Sequence, residues 1–237
     1  MTYPTGEEPC GTGELPAAGA PVALVTECAS GIGAAVARRL AAEGMRVVVN
    51  CERSPRAGER LAAQLPGAMC FAADIAVREQ AEALVAATVE RYGRLDVLVN
   101  SAGVTEVPPQ RDGEAADAEV LREIFDVHVL GTWQMCVAAM PQLRAGGDGC
   151  VVNVSTVTGV RPSAGSVPYA VSRAALDNIT RLLAAVAGPD VRVHAVAPGP
   201  ADASPRKHPD TPEEVAEAVL AMVRSHWPSG QALTPLR

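Results

Sequence analysis

The sequence predicts an α/β fold: one doubly wound parallel sheet with helices on both faces. Two observations carry that prediction. Short apolar runs rich in Val alternate along the chain with stretches of helical periodicity, the pattern that places crossover helices between parallel strands. The runs are also apolar at nearly every position, as strands covered on both faces must be; a strand with one wet face would alternate apolar with polar. Aromatic residues make up only 3% of the chain against 48% hydrophobic residues overall, so the core has to be built from Ala, Val, Leu and Ile.

Residues 1–20 are rich in Gly, Pro, Thr and Glu without periodicity and read as a flexible tail. Residues 21–237 read as a single domain, since nothing divides them and no repeat occurs. Val22–Val25 is the first strand. Ile32, Val36 and Leu40 then fall on one helical face, with Gly44 placed as the C-terminal cap. Met45–Val49 is a second β-branched run, and Pro55 suits the first turn of a polar helix over Pro55–Leu65. Met69–Ala73 predicts a third strand, Val77–Tyr92 a helix, Val97–Val99 a fourth strand and Asp117–Met140 a long helix. Cys150–Val154 and Val191–Val196 are the fifth and sixth strands, on either side of a helix over Val167–Ala187. Thr211-Pro212-Glu213-Glu214 supplies a cap and an acidic first turn for a last helix reaching Ser225, and Gln231–Thr234 leaves room for a seventh strand. The expected strand order is 3-2-1-4-5-6, that of a dinucleotide-binding sheet.

Composition excludes several functions. The chain carries 20 basic and 27 acidic residues, a formal net charge of −7, which does not suit gripping nucleic acid by bulk charge or docking on an anionic membrane. No run of about eighteen apolar residues suits a membrane-spanning helix. Met1 to Pro21 lacks the basic start and apolar stretch of a secretory signal. The six cysteines, Cys10, Cys28, Cys51, Cys70, Cys136 and Cys150, are scattered without a Cys-x-x-Cys pair. They read as free thiols in a reducing cytoplasm, and no clustered ligand set suggests a metal site.

The chemistry-bearing segments sit where the strands should end. Thr26-Glu27-Cys28-Ala29-Ser30-Gly31-Ile32-Gly33 follows the first strand, Asn50-Cys51-Glu52-Arg53 the second and Asp74-Ile75 the third. Asn100-Ser101-Ala102-Gly103 follows the fourth and Asn153-Val154-Ser155-Thr156 the fifth; Tyr169-x-x-x-Arg173 and Pro198-Gly199 come later. In this order and at these spacings the chain, from Pro21 to about Leu233, resembles the short-chain dehydrogenase/reductase family, whose fold is a single-domain Rossmann-type sheet. The resemblance implies a nicotinamide cofactor at the carboxyl ends of the strands. Thr26, Ser30, Gly31, Ile32 and Gly33 would form the glycine loop that lets the backbone approach the pyrophosphate at a helix N-terminus. Cys51 aligns with the acid that selects NAD, so Arg53 would instead hold the 2′-phosphate of NADP(H), with Glu52 beside it pulling the other way. Asp74, with Ile75 next to it, would meet the adenine. Asn100, Ala102 and Gly103 would form the loop after the fourth strand. Pro198 and Gly199 would lead into the segment that meets the nicotinamide carboxamide, where Ala203 stands in place of the family's Thr.

The same resemblance implies the catalytic set. Tyr169 would exchange a proton with the carbonyl oxygen. Thirteen residues earlier the family has Ser and this chain has Thr156, which keeps the hydroxyl; four residues later the family has Lys and this chain has Arg173, cationic but planar and bulkier. The family's Asn that holds a relay water falls on His128, open either to a proton-carrying role or to that of a histidine satisfied within its helix. The first glycine of the loop is Glu27. A carboxylate about 4 Å from a pyrophosphate oxygen is repelled by roughly 1 kcal/mol in bulk water and roughly 4 kcal/mol near a partly screened surface. Glu27 reads as weakening the cofactor site, as taking the positive helix end in place of phosphate, or as pointing into solvent. The segment between Pro198 and the last helix is short and Pro-rich, which predicts an open pocket, and Pro235 would end the last strand.

Three functions stay open. The first is an NADP(H)-dependent reductase or dehydrogenase acting on a carbonyl or hydroxyl of a small molecule. In it Tyr169 is the general acid, Thr156 the partner of the carbonyl oxygen, Arg173 the electrostatic support and His128 a relay. The second is a catalytically silent family member, a scaffold or a subunit of a hetero-oligomer with another member. The third keeps the pocket for dehydration, cyclisation or isomerisation by acid–base chemistry without a hydride. The expected assembly is a homodimer through the two long helices, with no nucleic-acid or membrane partner.

Overall fold

The computed structural model describes residues 16–17, 19–101, 118–157, 167–199 and 209–235. Seven parallel strands form one sheet in the order β3-β2-β1-β4-β5-β6-β7. They are β1 Val22–Val25, β2 Arg46–Cys51, β3 Met69–Ala72, β4 Val97–Asn100, β5 Gly149–Val154, β6 Val191–Val196 and β7 Ala232–Leu233. The expected order is found, with the seventh strand added at the edge; Pro235 follows it two residues later.

Helices α1 Gly31–Ala42, α2 Pro55–Ala62 and α7 Pro212–Arg224 cover one face; α3 Arg78–Tyr92, α5 Thr132–Ala145 and α6 Val167–Ala187 cover the other, with α4 Ala118–Phe125 leading into α5. Successive strand residues point to opposite faces. Ala23, Val25, Val47, Val49, Val97 and Val99 pack under α1 and α7, while Val22, Leu24, Val48 and Leu98 pack under α3, α5 and α6. The unbroken apolar runs of the sequence are therefore two alternating patterns laid over one another. The last helix starts as its sequence predicts. The Thr211 hydroxyl accepts from Glu214 N at 3.2 Å, the Glu214 carboxylate accepts from Thr211 N at 2.9 Å, and Pro212 takes the first turn.

Two elements differ from expectation. The helix expected over Asp117–Met140 is not uniform: its middle, Asp126–Gly131, is a wider π-helical turn, a feature that recurs at functional sites. Gly131 ends that turn against Ile75, where a Cβ would stand 2.9 Å from the Ile75 side chain. The following helix then runs through Pro141 to Ala145. Pro141 lies on the exposed side, and so does Val137, whose carbonyl it leaves without an intrahelical donor, so water can take that bond. Among the described residues no helix is long and apolar enough to cross a membrane. Most of the tail, together with Ala102, Gly103 and Ala203, lies outside the described residues.

Candidate active site

β1 is followed by α1 on one face of the sheet and its neighbour β4, later in the chain, by α5 on the other, the change of face at which a parallel sheet opens a crevice at the carboxyl ends of its strands. Thr26 ties the two loops together. Its N–H donates to Val99 O at 3.0 Å, and its hydroxyl accepts from Ser101 N at 3.0 Å. Every site segment expected from sequence, where described, sits at this end of the sheet.

The turn after β1 is unusual. Glu27 has a φ of +45°, the one non-glycine with positive φ among the described residues. This is the left-handed region that favours glycine. Asn50, fully buried at the end of β2, holds the turn. Its side-chain oxygen accepts from Glu27 N at 3.2 Å, its amide donates to Ala73 O at 3.0 Å and Phe71 O at 3.3 Å, and its own carbonyl accepts from Cys28 N at 2.9 Å. Gly33 then brings α1 down onto the turn. A Cβ there would lie 2.7 Å from Cys28 Cα and 2.9 Å from Glu27 O.

Ser30 is the N-cap of α1 but makes no capping bond with its side chain. The first-turn N–H groups and the positive end of the helix dipole therefore remain for an anion. In front of them lies a cleft of about 190 Å³ lined by Glu27, Ala29, Ser30, Cys51, Glu52, Arg53 and Ser54. Arg53 is mostly exposed and pairs with Glu52 at 3.4 Å. Cys51, on the cleft wall, has its Sγ 3.4 Å from Cys70 Sγ; the Cys70 hydrogen bond holds the Cys51 thiol below the ordinary range. Asp74 Oδ1 accepts from Ala76 N at 2.8 Å, turning the chain into α3, and Ile75 is buried beside it.

Across the crevice stand the remaining expected residues. The Arg173 guanidinium lies 5.0 Å over the ring of Tyr169, and His128 meets the same ring edge-on at 5.5 Å. Arg173 is 5% exposed; it donates to Val154 O at 3.1 Å, and its Nε is buried without a partner. A desolvated guanidinium on a ring face is worth about 2 kcal/mol. His128 is fully buried in the π-helical turn. Burial, then the charge of Arg173, lowers its pKa from 6.5 to about 3, so the imidazole is neutral at pH 7. That removes the imidazolium form from a relay near neutrality. The Thr156 hydroxyl donates to Pro198 O at 3.0 Å, and Gly199 N donates to the Asp210 carboxylate, just ahead of α7, at 2.8 Å.

Thr180 and Asp177 escaped the sequence, as did the partners of Asn100, Asn153 and Ser155. A fully buried chain runs from Asn100 to Asn153 Oδ1 at 2.9 Å and on to Thr180 Oγ1 at 2.8 Å, bracing β4 and β5 against α6. Asp177, one turn after Arg173, has its carboxyl pushed up by burial, against the pull of Ser155, Arg181 and Arg173. The Ser155 hydroxyl lies beside it without closing a well-formed bond. Polar residues in otherwise apolar strand ends, such as Asn50 and Asn153, were the available signal; their partners come from distant strands.

The short chain dehydrogenase family matches residues 21–214. The chain is also 50% identical over 233 residues to a Streptomyces violaceoruber protein named as ketoacyl reductase 2 of the granaticin polyketide synthase, across 90% of this chain and 94% of that one. The chain belongs to the short-chain dehydrogenase/reductase family. Among its relatives in that family is the short-chain reductase NovJ of Streptomyces niveus, 40% identical over 182 residues, 75% of this chain and 68% of the other. A solved structure from Burkholderia xenovorans, named as a short-chain dehydrogenase/reductase, superposes with a TM-score of 0.83 at 31% identity, over 91% of this chain and 96% of that one.

Membership makes the chain a short-chain oxidoreductase of the NAD(P) class. Its residues fit such a cofactor at most points: an uncapped helix start, a glycine at Gly33 that admits no Cβ, and a cleft between Ser30 and Arg53. Glu27, on the wall of that cleft, is the point of poorest fit for an anionic ligand.

Proposed function

We propose that the chain is an NADP(H)-dependent reductase of a carbonyl group on a small molecule, with a β-ketoacyl compound as the substrate class. The observation that carries this reading is Tyr169, packed between the Arg173 guanidinium and the His128 ring at the carboxyl end of the sheet. The ketoacyl class is suggested by the name of the relative that is 50% identical. Arg53 on the cleft wall favours the cofactor that carries a 2′-phosphate, since a guanidinium binds phosphate at two points.

When bound, the nicotinamide supplies the hydride. Ser30, Gly31, Ile32 and Gly33 would receive the pyrophosphate at the start of α1, and Arg53 the 2′-phosphate. Tyr169 donates its hydroxyl proton to the carbonyl oxygen as that oxygen gains charge. Thr156 turns its proton from Pro198 O toward the same oxygen. Arg173 keeps a positive charge against the tyrosine ring throughout. Calorimetric titration tests the cofactor half of this reading. NADPH should bind more tightly than NADH, and Arg53→Ala should abolish the difference; equal binding by the unmodified chain would contradict it.

A second reading, a silent family member, is favoured by one observation, the Glu27 carboxylate in the cleft. It predicts no binding of NADPH at millimolar concentration, and a dissociation constant in the micromolar range would contradict it. We also propose that the reductase is a homodimer. Trp133 and Val137 on α5 and Val171, Leu182 and Val186 on α6 are 45–70% exposed at helical spacings, apolar stripes that a second copy would cover. A monomer in sedimentation at micromolar concentration would refute that part.

A further inference from the structure

Ser172 follows Tyr169 by three residues on α6, and its side chain is fully buried. Its Oγ makes two close contacts, each of 2.8 Å: one to the main-chain carbonyl of Tyr169, the other to Nδ1 of His128. The first contact fixes the direction of the second. Two oxygens at 2.8 Å repel unless a proton lies between them, and a carbonyl brings none, so the Ser172 proton points at Tyr169 O. A hydroxyl has one proton. Toward His128, therefore, Ser172 can only accept, and Nδ1 must carry the hydrogen.

We propose that Ser172 is a positioning residue that locks His128 as the Nδ1–H tautomer, so that its other nitrogen, Nε2, is held as a hydrogen-bond acceptor on the side away from Ser172. Nε2 cannot donate in that state. A hydroxyl or water that meets it must point a proton at it, and such a water keeps its second proton for a neighbour such as the oxygen of Tyr169. The imidazole stays neutral because it is sealed from solvent with the Arg173 guanidinium nearby. Tyr169 at 5.5 Å is the ring it faces. The use made of the acceptor rests on the reductase reading; the tautomer does not.

The test reads the imidazole nitrogens of the full chain by ¹⁵N-detected NMR. The chain has four histidines, and the signals lost in His128→Asn identify the one in question. Nδ1 should resonate as a protonated nitrogen and Nε2 as an unprotonated one, unchanged on mild acidification. In Ser172→Ala the signals should shift toward the Nε2–H form or broaden by exchange, while Ser172→Thr, which keeps the hydroxyl, should retain the pattern. In turnover, Ser172→Ala should lower kcat about tenfold or more with KM little changed. An Nε2–H tautomer or an imidazolium in the unmodified chain overturns the proposal, and so does an unaltered tautomer in Ser172→Ala. The unmodified spectrum decides the matter even if both variants fail to fold. The predicted tautomer in a chain without reductase activity would sink the proposed function while leaving the lock standing.

Discussion

Replacing Glu27 with glycine should raise both the stability of the chain and its affinity for NADPH. The residue sits at a φ of +45°. A side chain in the left-handed region is disfavoured by about 1–2 kcal/mol. Glycine there gives back about 0.5–1 kcal/mol through the freedom it adds to the unfolded chain. The difference is a gain of roughly 0.5–1 kcal/mol, or about 1–4 °C in Tm for a chain of this size. The effect on binding is larger. Removing a carboxylate about 4 Å from a pyrophosphate oxygen is worth roughly 1–4 kcal/mol, which is about fivefold to several hundredfold in Kd. Glu27→Gln separates the two effects: it keeps the strained backbone and removes the charge, so it should recover most of the affinity and little of the stability. Calorimetric titration with NADPH at low and high salt, beside thermal unfolding, reads both. If neither variant binds NADPH more tightly than the unmodified chain, Glu27 does not face the phosphates.

Two further predictions concern stability. Asn50→Ala leaves the Glu27 N–H and the carbonyls of Phe71 and Ala73 without their side-chain partner. One newly unsatisfied buried group costs about 1–3 kcal/mol, so the urea midpoint should fall clearly, and an unchanged midpoint would show that water replaces the amide. His128 makes the fold sensitive to acid. Its pKa is about 3 when folded against 6.5 as an ordinary histidine. Below pH 6.5 the unfolded chain takes up a proton that the folded chain refuses, so this residue's contribution falls by about 1.4 kcal/mol per pH unit as pH drops toward 3. Arg173, Tyr169 and Ser172 surround the ring, and the Arg173 charge acts in the same direction. His128→Asn should flatten the acid limb of stability measured between about pH 7 and pH 4. Parallel limbs for the two proteins would mean that the histidine is not buried neutral.

The sheet was legible because burial on both faces writes itself into the strands: runs such as Val47-Val48-Val49 are apolar throughout, and turn residues mark their ends. The cap at Thr211 was equally plain, since its bonds are local. Glu27 showed itself by replacing a glycine, and its positive φ supplies the physical reason for the family's preference. What stayed hidden depends on partners far away in the chain. The π-helical turn keeps an ordinary helical pattern and is recognisable only where Gly131 meets Ile75. Asn50 acts on the carbonyls of Phe71 in β3 and of Ala73 just after it, and the contact of Ser172 with His128 spans 44 residues. No spacing rule links such pairs, so only the fold reveals them.

In the proposed reaction Tyr169 protonates a carbonyl while a reduced nicotinamide delivers a hydride. The most direct measurement is a single turnover with NADPH deuterated at the transferred position and a β-ketoacyl thioester, followed by mass spectrometry of the product. The product should be a hydroxyacyl compound carrying one deuterium, formed at least about a hundredfold more slowly by Tyr169→Phe. No deuterium in the product, or an undiminished rate in Tyr169→Phe, would contradict it.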